Sequence, residues 1–302
     1  MKKIIISVLV ASAALLEVAG QQQVMFTQYM FNGLAINPAY AGSHETMSTT
    51  FLMREQWTGL EGAPKTQTFS IHSPLRKERF SLGLLFLHDN IGVTNQNGIY
   101  GSYAYRIPVS KKGKLAFGLQ GGATFYNAQF SKISSTDPVF INDVRLAQPN
   151  IGFGMYYNTD RFYAGVSVPQ LMQTVFSINK SDSDSKLVRH YFASAGYVFD
   201  LSPSIKLKPN LLLKVVNGAP MEFDLNANAL FREVLWVGLS WRTFDSFDAI
   251  LQFQVTDQLQ VGYSYDFATT TDLARVNGGS HELMLNYRFA FTKTRVVTPR
   301  YF

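Results

Sequence analysis

The second half of the chain alternates with a period of two. Leu283, Leu285, Tyr287, Phe289 and Phe291 fall on one side of an extended segment, and Glu282, Met284, Asn286, Arg288 and Ala290 on the other. Leu259, Val261, Tyr263, Tyr265 and Phe267 alternate in the same way with Gln260, Gly262, Ser264 and Asp266. Met221, Phe223, Leu225, Ala227, Ala229 and Phe231 alternate with Glu222, Asp224, Asn226 and Asn228. Successive side chains of a strand point to opposite faces, so each segment carries one apolar, aromatic face and one polar or small face.

Extended to the rest of the chain, this pattern predicts fourteen strands: 45–57, 65–75, 80–90, 97–109, 114–130, 148–158, 161–172, 190–200, 205–216, 221–232, 234–243, 248–256, 259–269 and 280–291. Most are longer than the roughly 5–6 residues usual in soluble sheets and match the roughly 9–11 that a tilted strand needs to cross a bilayer. The expected fold is therefore all-β: a transmembrane antiparallel up-and-down β-barrel rather than a soluble sandwich. An open sheet edge facing lipid would leave backbone groups unpaired, so the barrel must close.

The connections alternate too. With both ends of the barrel in the periplasm, even-numbered connections should be short. They are Arg76–Arg79, Ser110–Gly113, Thr159–Asp160, Leu201–Ser204, Glu233 and Asp257–Gln258. Most odd-numbered, outward connections are longer: Thr58–Pro64, Ser131–Ala147, Gln173–Arg189 and Thr270–Gly279. Two, Asn217–Pro220 and Phe244–Phe247, are short.

Composition sharpens this reading. Of 302 residues 16% are charged and 14% aromatic, against roughly 25% charged in soluble domains. The absence of cysteine excludes disulfide scaffolds, thiolate metal sites and cysteine nucleophiles. A net charge of +6, scattered along the chain, gives no nucleic-acid patch. Lys2 and Lys3, the apolar stretch from Ile4 to Leu16 and the small residues Ala19-Gly20 before Gln21 have the order of a cleaved secretory signal. The expected organisation is a signal peptide over 1–20, a periplasmic or plug segment over 21–44, the barrel over 45–291 and a tail over 292–302. The plug segment carries Gln28-Tyr29-Met30-Phe31-Asn32 and Asn37-Pro38-Ala39-Tyr40-Ala41-Gly42, too aromatic for a linker. It is expected as a short helical or irregular piece under or inside the barrel mouth. Tyr301-Phe302, or Phe289 and Phe291, could act as a barrel-assembly signal.

Candidate chemistry is sparse. Lys206, Lys208 and Lys214 share a polar face, and Lys214 should meet Glu222 across the Asn217-Gly218 hairpin. That pair reads as a structural luminal ion pair or as part of a solute-selecting pore lining. The five histidines lack metal-site spacing, and Gly-Ser-His-Glu at 42–45 and 279–282 falls at opposite barrel ends. Asp182 and Asp184 lack the glycine and glutamate of a calcium loop. No hydrolase motif is present, so neither an enzyme nor a cofactor is expected. Trp57 suits an interfacial belt. A sharper reading makes it, with Arg54, Gln56 and Gly59, and with Phe140, Ile141, Leu171, Met172, Val175 and Phe176 in and beside the long loops, part of a rim that docks a partner.

The chain resembles the PorP/SprF family of outer-membrane proteins associated with type IX secretion and gliding motility. The matching residues are Gln28-Tyr29-Met30 with Asn37–Gly42, Arg54-Glu55-Gln56-Trp57-Thr58-Gly59 with Gly62-Ala63-Pro64, Asp89-Asn90-Ile91-Gly92, Tyr103–Ile107, Gly262-Tyr263-Ser264-Tyr265-Asp266 and Gly278–Glu282. The resemblance implies a non-enzymatic barrel in the outer membrane of a Gram-negative bacterium, in contact with its lipid. Such a barrel helps secrete, anchor or present surface proteins carrying a type IX C-terminal signal domain, and touches periplasmic components of the secretion machinery. Two other readings stay open: a passive porin or solute channel, and an outer-membrane hydrolase.

Overall fold

A computed structural model describes residues 20–21, 23–75, 79–133, 142–172, 175–176, 185–268 and 278–289. The expected signal peptide up to residue 19, the loop residues Asp182 and Asp184, and the tail with Tyr301 and Phe302 lie outside the described residues.

Fourteen antiparallel strands close into a barrel. They are β1 (Ser48–Glu55), β2 (Lys65–Pro74), β3 (Phe80–Ile91), β4 (Thr94–Pro108), β5 (Lys114–Ala128), β6 (Val144–Asn158), β7 (Phe162–Val168), β8 (His190–Tyr197, continued past Val198 by Phe199–Ser202), β9 (Ile205–Val216), β10 (Glu222–Phe231), β11 (Leu235–Arg242), β12 (Ser246–Gln254), β13 (Leu259–Ala268) and β14 (Ser280–Arg288). Each pairs with its neighbours in chain order, and β14 pairs with β1 from His281↔Glu55 to Arg288↔Ser48. That seam removes the last sheet edge.

The register explains the alternation. Phe51, Phe69, Phe86 and Ile99 are direct cross-strand partners on β1 to β4, and all are exposed on the outer wall. Leu225, Trp241, Phe247 and Phe267 form a matching exposed row on β10 to β13. In water such rows would be a large liability; in a bilayer they are the solvated surface. Aromatic pairs gather at the end with short turns: Phe80 with Tyr105, Tyr157 with Phe162, Tyr197 with Phe199, and Tyr287 with Phe289. They form a girdle at the headgroup level. The intervening residues face inward and are mostly polar, among them Thr50, Ser70, Asn150, Asn210, Asn226 and Asp266, all buried.

Two strands begin earlier than their apolar pattern suggests. β4 starts at Thr94, directly after the Gly92-Val93 turn, and β6 starts at Val144. Thr94 to Asn97 are polar on both faces but stay paired with β3 and β5. Pairing there continues past the apolar band, where alternation no longer reports on lipid.

Candidate functional site: a filled lumen beneath an outer cavity

The barrel wall leaves an interior, and residues 23–47 occupy it. Three 3-10 turns, Tyr29–Phe31, Gly33–Ala35 and Pro38–Tyr40, fold the segment compactly. Pro38 stands first in its turn, where its missing N–H costs nothing, and the Asn37 side chain caps it by accepting from Ala39 N–H at 2.9 Å. Phe26, Met30, Phe31, Leu34 and Ile36 are buried against the inner wall. Burying each such side chain is worth about 1.5–3 kcal/mol, against about 1 kcal/mol net for a typical hydrogen bond. Apolar burial therefore supplies most of the adhesion, and polar contacts set the position.

Those polar contacts run the length of the lumen. At the short-turn end Glu45 pairs with Lys114, and Arg106 donates to the carbonyls of Gly42 (2.8 Å) and Ala41 (3.0 Å). Gly42 N–H donates to His72 Nδ1 at 3.1 Å, and the Tyr40 hydroxyl is hydrogen-bonded to His44 Nε2 at 2.9 Å. Next, Asn37 Nδ2 donates to the Met155 carbonyl at 2.9 Å, and Ser167 donates to the Ile36 carbonyl. Here the plug backbone lies directly on the wall. A Cβ on Gly118 would collide with the Pro38–Ala39 backbone, and one on Gly154 with the Asn37 side chain. Further along, Asn32 bridges Thr68 (3.1 Å) and Ser70 (3.0 Å), and Gln28 Oε1 accepts from Gln252 at 2.9 Å.

A charged knot crosses the seam near the long-loop end. Arg54 on β1 pairs with Asp266 on β13 at 2.6 Å and with Glu282 on β14 at 3.3 Å, and all three are buried. Glu282 also accepts the backbone N–H groups of Thr27 (2.9 Å) and Gln28 (2.8 Å). The Thr27 hydroxyl accepts from Arg54 and donates to Asp266. A second buried pair, Arg242 with Asp224 at 3.0 Å, reaches the Phe26 carbonyl through Arg242 Nη2. Buried ions are tolerated when paired and hydrogen-bonded, and the plug backbone supplies some of those bonds.

The three lysines of β9 have three different fates. Lys214 forms the expected cross-hairpin pair with Glu222, at 2.6 Å. Lys206 pairs with Glu233 at the short-turn end. Lys208 is fully buried, its Nζ 4.8 Å from the centroid of the plug's Phe31 ring and about 6 Å from those of Tyr163 and Trp236. It packs against the plug rather than facing an open channel.

Above the plug lies an outward cavity of about 460 Å³, floored by Gln23, Val24 and Met25 and ringed by residues that include Arg54, Gln56, Trp57, Tyr126, His190 and Arg242. Strand alternation would send Trp57 outward with Phe51 and Met53. Its φ of 49° turns the chain instead, and the residue lines the cavity. Trp57 N–H donates to Ser280, and Thr58 exchanges backbone hydrogen bonds with Gly278 and Gly279 across the seam. Gly59 is exposed in the same loop. Leu171 N–H donates to the Ile151 carbonyl, while Met172 is exposed and shares hydrogen bonds with Asn150. Phe140 and Ile141 lie outside the described residues, and of Phe176 only the backbone is described. In the β5–β6 loop, the Ser131 backbone N–H donates to Asp143 and holds that carboxyl below the ordinary carboxylate range. Among the described residues no group of three His, Asp or Glu side chains is placed to hold a metal ion.

Sequence reasoning expected Gln28, Tyr29, Asn37, Pro38, Tyr40 and Gly42 under or inside the barrel mouth, and they sit together inside the barrel. It missed Arg106, Asp266, Glu282, Asp224 and Arg242 as plug contacts. Their signal was a charged residue at an inward position of a lipid-spanning strand, which demands a partner inside.

Fold and filled interior together define an outer-membrane β-barrel plugged by its own N-terminal segment. The sequence model for the type IX secretion system membrane protein PorP/SprF matches residues 18–287, and the chain belongs to that family. It is a protein of the Gram-negative outer membrane. No curated protein matches the chain. Among solved structures, it is similar to the CymD monoaromatic hydrocarbon channel, with 14% identity, a TM-score of 0.51 and coverage of 86% of this chain and 93% of that one. It is also similar to the Ralstonia pickettii toluene transporter TbuX, with 9% identity, a TM-score of 0.50 and coverage of 86% and 94%. These likenesses establish the barrel fold.

Proposed function

We propose that this barrel is a non-enzymatic docking protein of the type IX system, which helps secrete, anchor or present a surface protein carrying a type IX C-terminal signal domain. The observation that carries this reading is the filled lumen. Residues 23–47 are bonded to the wall from the short-turn end to the Arg54 knot, leaving the outer cavity and the long loops as the surface for a macromolecule. Trp57, Gln56 and Gly59 stand at that cavity or beside it, where a partner's extended segment would meet aromatic and charged groups together. Periplasmic secretion components meet the short-turn end. Mild crosslinking of cells followed by affinity purification tests the reading: a large exported protein is expected in stoichiometric yield. Recovery of the barrel alone, with surface proteins unchanged in a deletion strain, would contradict it.

The channel reading draws on the same fold, since CymD is described as a channel and TbuX as a transporter. It requires the plug to move, and a conductance measurement separates the two.

A further inference from the structure

The plug has a direction. β1 begins at Ser48, at the end of the barrel that carries the short turns. Followed backwards from there, the chain meets the wall at successively higher levels. Glu45 meets Lys114 next to the β4–β5 turn, Gly42 meets His72 near the lower end of β2, and Asn32 meets Thr68 and Ser70 midway along β2. Thr27 and Gln28 meet Glu282 near the upper end of β14. Phe26 then meets Arg242 at the upper end of β11, and Gln23 N–H donates to Nε2 of His190, the first residue of β8, at 3.2 Å. Gly20 and Gln21 pair in parallel with Lys186 and Leu187, inside the long connection between β7 and β8. No step turns back.

We propose that this segment threads the barrel outward, so that the chain preceding Gln23 leaves the lumen on the extracellular side although the barrel begins and ends at the periplasmic side. With residues 1–20 removed as their composition implies, the amino end of the mature chain is a cell-surface element. It lies at the mouth of the outer cavity, with the Gln21 backbone beside Leu187 of the β7–β8 loop. The inference rests on the path of the plug and not on the docking reading above, which can fail while this one stands.

The threading is tested by inserting a short epitope between Gln22 and Gln23 and staining intact cells with antibody, which cannot cross the outer membrane. The same epitope after Glu61, in the β1–β2 loop, marks the outside; after Lys111, in the β4–β5 turn, it marks the periplasm. The N-terminal epitope is expected to stain intact cells like the Glu61 insertion. Staining only after permeabilisation, like the Lys111 insertion, would overturn the proposal. Because the chain has no cysteine, a second measurement covers an insertion that misfolds. Gln23→Cys paired with His190→Cys should be joined by a short bis-maleimide in the folded barrel, while Gln23→Cys paired with Lys112→Cys should not. A link to position 112, or to neither, would overturn it equally.

Discussion

At the residue scale, a few inward charges set the position of the plug, and each is costly to remove singly because its partners stay buried. Arg54 is the clearest case: it neutralises two buried carboxylates on two other strands and donates to the plug's Thr27. Arg54→Ala would leave Asp266 and Glu282 buried without that cation, at a cost of about 3–5 kcal/mol. The expected result is a marked drop in the temperature at which the folded band converts to the unfolded one on a gel. An unchanged transition would mean that water reaches the knot. Glycines at the wall make the opposite kind of test. Gly118→Leu would push a side chain into the Pro38–Ala39 backbone, and overpacking of this kind costs about 1–3 kcal/mol. It should loosen the plug, seen as protease cleavage between Asn37 and Gly42 in the purified barrel. Protection equal to wild type would show that the wall yields. Of these residues, the alternation made Lys214 and Glu222 readable as a pair because a two-strand hairpin fixes their register. Arg54, Asp266 and Glu282 were not readable as a knot, since 228 positions separate Arg54 from Glu282 and only barrel closure brings them together.

At the scale of elements, all fourteen strands were legible, because lipid on one side and a polar interior on the other impose a strict period of two. β14, with Leu283, Leu285 and Tyr287 exposed and Met284 and Asn286 buried, follows the pattern residue by residue. The ends of β4 and β6 were not legible, since above the membrane both faces are wet and the period loses its physical cause. The plug was legible only as something that was not a strand. Its Asn-Pro break and dense aromatics indicated packing, but its contacts lie on strands spread around the whole wall, from Arg54 on β1 through Lys114 on β5 and Ser167 on β7 to Asp266 on β13 and Glu282 on β14. The two uses of a short polar-aromatic segment, as plug and as periplasmic arm, look alike in composition. They differ in where the hydrogen bonds of Asn32, Asn37 and Thr27 end.

At the scale of the whole molecule, a closed wall and a bonded plug separate two ways of working. A channel moves solute through the lumen. A docking barrel uses the wall as an anchor and the outer loops as a surface. In this chain the lumen holds its own N-terminal segment, with Lys208 buried against Phe31 where an open pore would have a wet cation. The most direct test is the conductance of the purified full chain in planar bilayers. No steady conductance is expected, and no change when Lys206, Lys208 or Lys214 is neutralised. A stable open channel, with a current that shifts on those substitutions, would contradict the docking reading.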